Sequence, residues 1–186
     1  MFGNKSKIKN LKSKINADKL RALELLLLDV DGVLTDGRLI YTDGGAETKA
    51  FHARDGYGLK LLMAHGVRVG IVTGRSSDLL YHRCRNLGID LIYDGVADKA
   101  APLAEIQEKT GLSATEIAFM GDDLPDLPLL SRVGCAITVA DAPPPIPDHV
   151  DLVTRRRGGD GAVREVCEAI LRAKGVWAAI IDRLIQ

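Results

Sequence analysis

Short apolar runs and longer amphipathic stretches alternate along the chain from residue 25 to its end. Leu25–Val30, Val67–Val72, Leu91–Tyr93, Ile117–Met120 and Cys135–Val139 have the length and composition of buried strands, with Leu152–Val153 a shorter sixth. Between them, helices are expected over Gly58–His65, Ser76–Leu87, Lys99–Thr110, Asp123–Ser131 and Ala162–Ala173, and a last one near Trp177–Leu184. Gly66, Gly88 and Gly111 stand where a left-handed residue closes a helix. Arg38–Thr42 and Glu47–His52, separated by Asp43-Gly44-Gly45, read as a β-hairpin. Ala142–Pro147 holds four of the seven prolines and must be a loop.

Strands separated by helices of about a dozen residues favour right-handed crossovers and a parallel sheet covered on both faces. The predicted fold is α/β, a Rossmann-like three-layer sandwich with a mostly parallel sheet and a hairpin inserted after the first strand. One domain over residues 1–186 is expected, with a basic leader at 1–20, the hairpin at 38–52 and a C-terminal helix and tail at 155–186.

Composition narrows the function. The 25 basic and 25 acidic residues cancel, which excludes a general nucleic-acid binder, since that role needs surplus positive charge. No apolar run approaches the ~20 residues a membrane span requires. The three cysteines, Cys84, Cys135 and Cys167, are odd in number and widely spaced, which suits buried thiols in a reducing cytoplasm. The basic start (Lys5, Lys7, Lys9, Lys12, Lys14) has no long apolar stretch behind it and is not a secretory signal. Ile8, Leu11 and Ile15 allow a basic amphipathic helix there, but a solvated leader is the plainer expectation.

The candidate chemistry lies at the strand ends, where open α/β sheets bind their ligands. Strand one runs into Asp29-Val30-Asp31-Gly32, strand two into Thr73-Gly74-Arg75, and the strand at Met120 into Gly121-Asp122-Asp123; Lys99 opens the helix after the third strand. Any one of these residues alone would be an ordinary cap or turn. Together they put the carboxylates of Asp29, Asp31 and Asp122, a hydroxyl and an ammonium on one rim. Crowded carboxylates call for a hard cation, and magnesium suits a site with few carboxylates, waters and a phosphate oxygen. Asp29 can then act as a nucleophile and Asp31, two residues on, as acid and base. Lys99, Thr73 and the Gly74 turn would hold phosphate oxygens. Arg75 and Arg83, about two turns apart in one predicted helix, could take a carboxylate or remain a solvated face. The run Arg155-Arg156-Arg157 is left open between a ligand-reaching arm and a solvated loop.

The segment Leu27-Leu28-Asp29-Val30-Asp31-Gly32-Val33-Leu34-Thr35-Asp36-Gly37, followed by Thr73, Lys99 and Gly121-Asp122-Asp123, resembles the haloacid dehalogenase superfamily of phosphatases. The resemblance implies an Asp29 nucleophile, an Asp31 acid/base, and Mg2+ held by the Asp29 carboxylate, the Asp31 carbonyl and Asp122, with Asp123 in support. The stretches from Asp31 to Thr73 and from Lys99 to Asp122 are too short for a cap domain. Phe51-His52-Ala53-Arg54-Asp55-Gly56-Tyr57-Gly58 and Gly158-Gly159-Asp160-Gly161-Ala162-Val163-Arg164-Glu165 extend the likeness to capless members acting on sugar-acid phosphates. These imply substrate contacts from His52, Ala53, Arg54, Asp55, Gly56, Lys60, Arg75 and Arg83, and a homotetramer built on the hairpin. A true dehalogenase would lack Asp31, and a silent scaffold protein would be expected to have lost Asp29.

Overall fold

A computed structural model describes residues 12–13 and 17–186. Its strands are β1 (Lys12–Ser13), β2 (Leu25–Leu28), β3 (Ile40–Tyr41), β4 (Glu47–Thr48), β5 (Arg68–Val72), β6 (Leu91–Tyr93), β7 (Ile117–Met120), β8 (Cys135–Thr138) and β9 (Leu152–Val153). Its helices are α1 (Ala17–Arg21), α2 (Ala53–Ala64), α3 (Asp78–Leu87), α4 (Leu103–Thr110), α5 (Leu127–Leu130), α6 (Ala162–Ala173) and α7 (Trp177–Ile185).

Among the described residues one sheet has the order β1-β9-β8-β7-β2-β5-β6, and β3 pairs with β4 in a separate hairpin. Every pair in the large sheet is parallel except β1 with β9. β2 lies in its interior, between β7 and β5. Its four leucines are buried and alternate between two cores, Leu26 and Leu28 beneath α1, α2, α3 and α6, Leu25 and Leu27 beneath α4 and α5. Burial on both faces explains the unbroken apolar run, and each leucine contributes roughly 1.5–3 kcal/mol.

Several elements differ from expectation, among them β1 and most of α1, which fall within the stretch expected as a solvated leader. α2 begins at Ala53, not Gly58, although Gly56 and Gly58 disfavour a helix. Both glycines are there for closeness: an added Cβ would stand 2.4 Å from Arg83 at position 56 and 2.9 Å from Arg164 at position 58. α4 starts after Pro102, so Lys99 lies in the preceding turn. The helix expected at Asp123–Ser131 divides into a 3₁₀ turn, Leu124–Asp126, and α5, each with a proline near its start. Ile8, Leu11 and Ile15 lie outside the described residues. The three cysteines are buried and unpaired, and burial pushes the Cys84 thiol up to about 11 and Cys135 to about 12. Among the described residues no helix is long and apolar enough to cross a membrane.

Candidate active site

From β2 the chain proceeds outward to β5 and β6, then returns to the other side of β2 for β7, β8 and β9. The order reverses at β2 and β7, and their carboxyl ends open into a cleft of about 330 Å³. Asp29 follows β2 directly and is tied to the neighbouring strand by its amide, which donates to the Met120 carbonyl at 2.9 Å. The loop beyond it is coiled on Val30, whose carbonyl accepts from the amides of Val33, Leu34 and Thr35. Buried Thr35 Oγ1 accepts from the Gly32 and Gly37 amides and donates to the same carbonyl. Gly32 has φ +90°, and a Cβ there would stand 2.1 Å from Asp122 Oδ2. Glycine therefore lets the β2 and β7 loops meet.

The cleft brings together Asp29, Asp31, Thr73, Gly74, Arg75, Lys99, Asp122 and Asp123, joined by Gly37, Pro125 and Asp126. Thr73 is buried at the end of β5, its amide donating to the Tyr93 carbonyl. Lys99 is also buried, and its Nζ lies 2.9 Å from Asp29 Oδ1 and 2.5 Å from Asp126 Oδ1. The approach to Asp29 is close but poorly directed, leaving Oδ1 without a well-formed hydrogen bond. Asp126, fully buried, is the residue the sequence reasoning missed. Its Oδ2 accepts from the Asp122 and Asp123 amides at 2.9 and 3.0 Å. Asp123 itself is exposed, and its carboxylate caps the 3₁₀ turn by accepting from Leu124. The recognisable signal was Asp-x-x-Asp at capping-box spacing.

Oxygens of Asp29, Asp122 and Asp126 lie within 4.8 Å of one another. Burial foremost, then the Asp126 charge, raises Asp29 to about 6 against the pull of Lys99. Burial, then Asp29 and Asp126, raises Asp122 to about 8. Burial alone would lower Lys99, but the Asp29 and Asp126 charges overcome it and hold its pKa above the ordinary value. One ammonium thus faces three carboxylates, and Asp126 is already occupied by two amides and Lys99. Asp29 and Asp122 remain, hard oxygen donors short of positive charge, which fits magnesium.

Asp31 is gripped from the other side. Lys49, from the end of the hairpin, pairs with its Oδ1, and Arg75 Nε stands 3.5 Å from Oδ2. Arg75 also reaches Glu47 at 3.1 Å and the Tyr41 hydroxyl at 3.3 Å. Nothing in the sequence marked Lys49, because its direction depends on how the hairpin folds over.

The remaining expected substrate residues lie outside this cleft. His52 and Arg54 line a separate polar groove of about 270 Å³ with Arg155, Arg156 and Arg164. Arg155 there pairs with Glu165 at 3.1 Å. Ala53 and Lys60 are exposed on α2. Arg83 donates to the His52 carbonyl and lies over the Phe51 ring, with Gly56 beneath it. Asp55 is buried and accepts from the Gly161 and Arg164 amides, tying α2 to the start of α6.

An aspartate just past the end of a strand, a threonine and a lysine from two further strand ends, and a paired-aspartate loop define one class. The chain belongs to the haloacid dehalogenase-like hydrolases. The model of that family matches residues 89–166, which include Lys99 and Asp122. Among characterised relatives, the 3-deoxy-D-manno-octulosonate 8-phosphate phosphatase of Escherichia coli K12 is 43% identical over 157 residues, 84% of each chain. The corresponding phosphatase of Moraxella catarrhalis, solved with magnesium, phosphate and the sugar acid, superposes with TM-score 0.88 at 40% identity, covering 90% of this chain and 97% of that one. The cobalt-bound enzyme of Haemophilus influenzae gives TM-score 0.86 at 38% identity, over 90% and 99%.

Proposed function

We propose that this chain is a magnesium-dependent phosphomonoesterase that hydrolyses 3-deoxy-D-manno-octulosonate 8-phosphate to the free sugar acid and phosphate. The observation that carries this is the convergence of Asp29, Thr73, Lys99 and Asp122, from four chain segments, on one cleft. Asp29 attacks phosphorus while the bond to the sugar oxygen breaks, and Asp31 gives its proton to that oxygen. Asp31, now ionised, takes a proton from water, which attacks the aspartyl-phosphate, releases phosphate and restores Asp29. Lys99 and Thr73 hold the phosphoryl oxygens throughout. Magnesium, held by Asp29, Asp122 and the Asp31 carbonyl, supplies the positive charge that lets an anionic phosphate approach an anionic nucleophile.

Arg75, at the mouth of the cleft, is placed to meet the sugar carboxylate through Nη1, while its Nε and Nη2 face Asp31 and Glu47. His52, Arg54 and Lys60 lie outside the cleft of their own chain, and a cytoplasmic homotetramer would bring them to a neighbour's. The hairpin supports this reading: Leu39, Ile40 and Tyr41 are 44, 49 and 57% exposed, apolar surface suited to burial between copies. Purified protein should release phosphate from the eight-carbon substrate only with magnesium, and Asp29→Asn should abolish turnover. Normal turnover in that variant would overturn the mechanism. Preference for a nonulosonate 9-phosphate would revise the substrate, and a fully active monomer in sedimentation would remove the tetramer.

A further inference from the structure

We infer that Lys49 is a positioning residue for the reaction, holding the Asp31 carboxyl group in the orientation that proton transfer requires. The inference rests on the acid/base reading of Asp31. The hairpin is mostly exposed, with strands of two residues each, yet the Lys49 side chain is only 3% exposed. A lysine is rarely buried so deeply without a partner. Its Nζ contacts Asp31 Oδ1, eighteen residues back in the chain, and lies 3.3 Å from Glu47 Oε1. Glu47 in turn takes Arg75 at 3.1 Å, and Arg75 Nε faces the second Asp31 oxygen. Lys49 is therefore the close contact on the acid/base, with Arg75 at ion-pair distance from an Oδ2 that has no hydrogen bond, and Glu47 links the two cations. An aspartate on a loop would otherwise rotate about its side-chain bonds, and misplacement by ~1 Å costs on the order of a hundredfold in rate.

Leaving-group dependence separates positioning of the acid from a merely structural role. An alkyl phosphate, such as 3-deoxy-D-manno-octulosonate 8-phosphate, expels a strongly basic oxygen that must be protonated, whereas p-nitrophenyl phosphate expels a stable anion. Asp31→Asn should lower kcat/KM far more for the alkyl ester than for the aryl ester. Lys49→Met should show the same selective loss, roughly 10- to 100-fold on the alkyl ester, with little change on the aryl ester. Lys49→Arg should recover most of the loss. Equal effects of Lys49→Met on both esters, or none, beside a selective Asp31→Asn, would overturn the role of Lys49 alone. An unselective Asp31→Asn would remove the acid/base reading and this inference with it. Should Lys49→Met not fold, Lys49→Gln carries the comparison, since it keeps a polar head group without the charge and should produce the same selective loss. Wild-type values on both esters would then refute the role.

Discussion

Magnesium binding should expel a proton from this site. In the metal-free chain Asp29 titrates near 6 and Asp122 near 8, so at pH 7 the first is mostly ionised and the second mostly protonated. A cation between them needs both as anions. Between pH 8 and pH 6 the affinity should therefore fall roughly tenfold per pH unit, about a hundredfold in all, and more steeply below. Stability without metal responds in the opposite sense. Both folded-state values lie above the ordinary 3.8, so these groups favour the fold most below that pH, and the contribution fades as pH rises through 6 and then 8. Excess magnesium should accordingly raise the melting temperature more at pH 8 than at pH 6. Calorimetric titration at pH 7 in two buffers of different ionisation enthalpy should give about one proton released per ion. An affinity unchanged from pH 6 to 8, with no buffer-dependent heat, would refute the crowding of carboxylates on which the site rests.

Asp126→Asn removes one of the two carboxylates in contact with Lys99 and should cost about 1–3 kcal/mol in denaturant unfolding, with kcat falling at least roughly a hundredfold. Wild-type kinetics would make Asp126 a bystander. Gly158→Ala would place a methyl 1.7 Å from the Gly32 carbonyl oxygen, so that loop must move. A loss of roughly 1–3 kcal/mol together with activity is expected. Gly66→Ala, with open space around it, should lower stability by about 1–2 kcal/mol and spare activity. Leu26→Ala, in β2, should cost about 2–5 kcal/mol in the same unfolding assay.

The layered α/β fold was legible because β2, β5 and β7 are buried on both faces and carry little polar residue to obscure the pattern. The positions that follow them were legible for the same reason, since chemistry in such sheets collects at strand ends. What escaped was contact between segments distant in sequence. The helix was expected to begin only at Gly58, whereas α2 begins at Ala53, and its glycines serve the approach of Arg83 and Arg164. Lys99 read as a helix start, but Pro102 marks where the helix can begin, and the turn before it points the lysine inward. Asp126 read as one position on a continuous helix, whereas the 3₁₀ turn folds its carboxylate back onto the Asp122 amide. No periodicity reveals a lysine that reaches across from a hairpin.

The tie from Asp55 to Gly161 and Arg164 joins residues 106 and 109 positions apart. The glycine pair just ahead of α6 lies against the nucleophile loop, where the Gly159 amide donates to the Val33 carbonyl at 3.0 Å. During synthesis Asp29 therefore emerges long before the backbone that braces its loop. A nascent chain ending ahead of residue 158 would lack both the amides that satisfy Asp55 and the helix that covers it, so α2 and the Asp29 loop gain their bracing only once residues 158–164 have emerged.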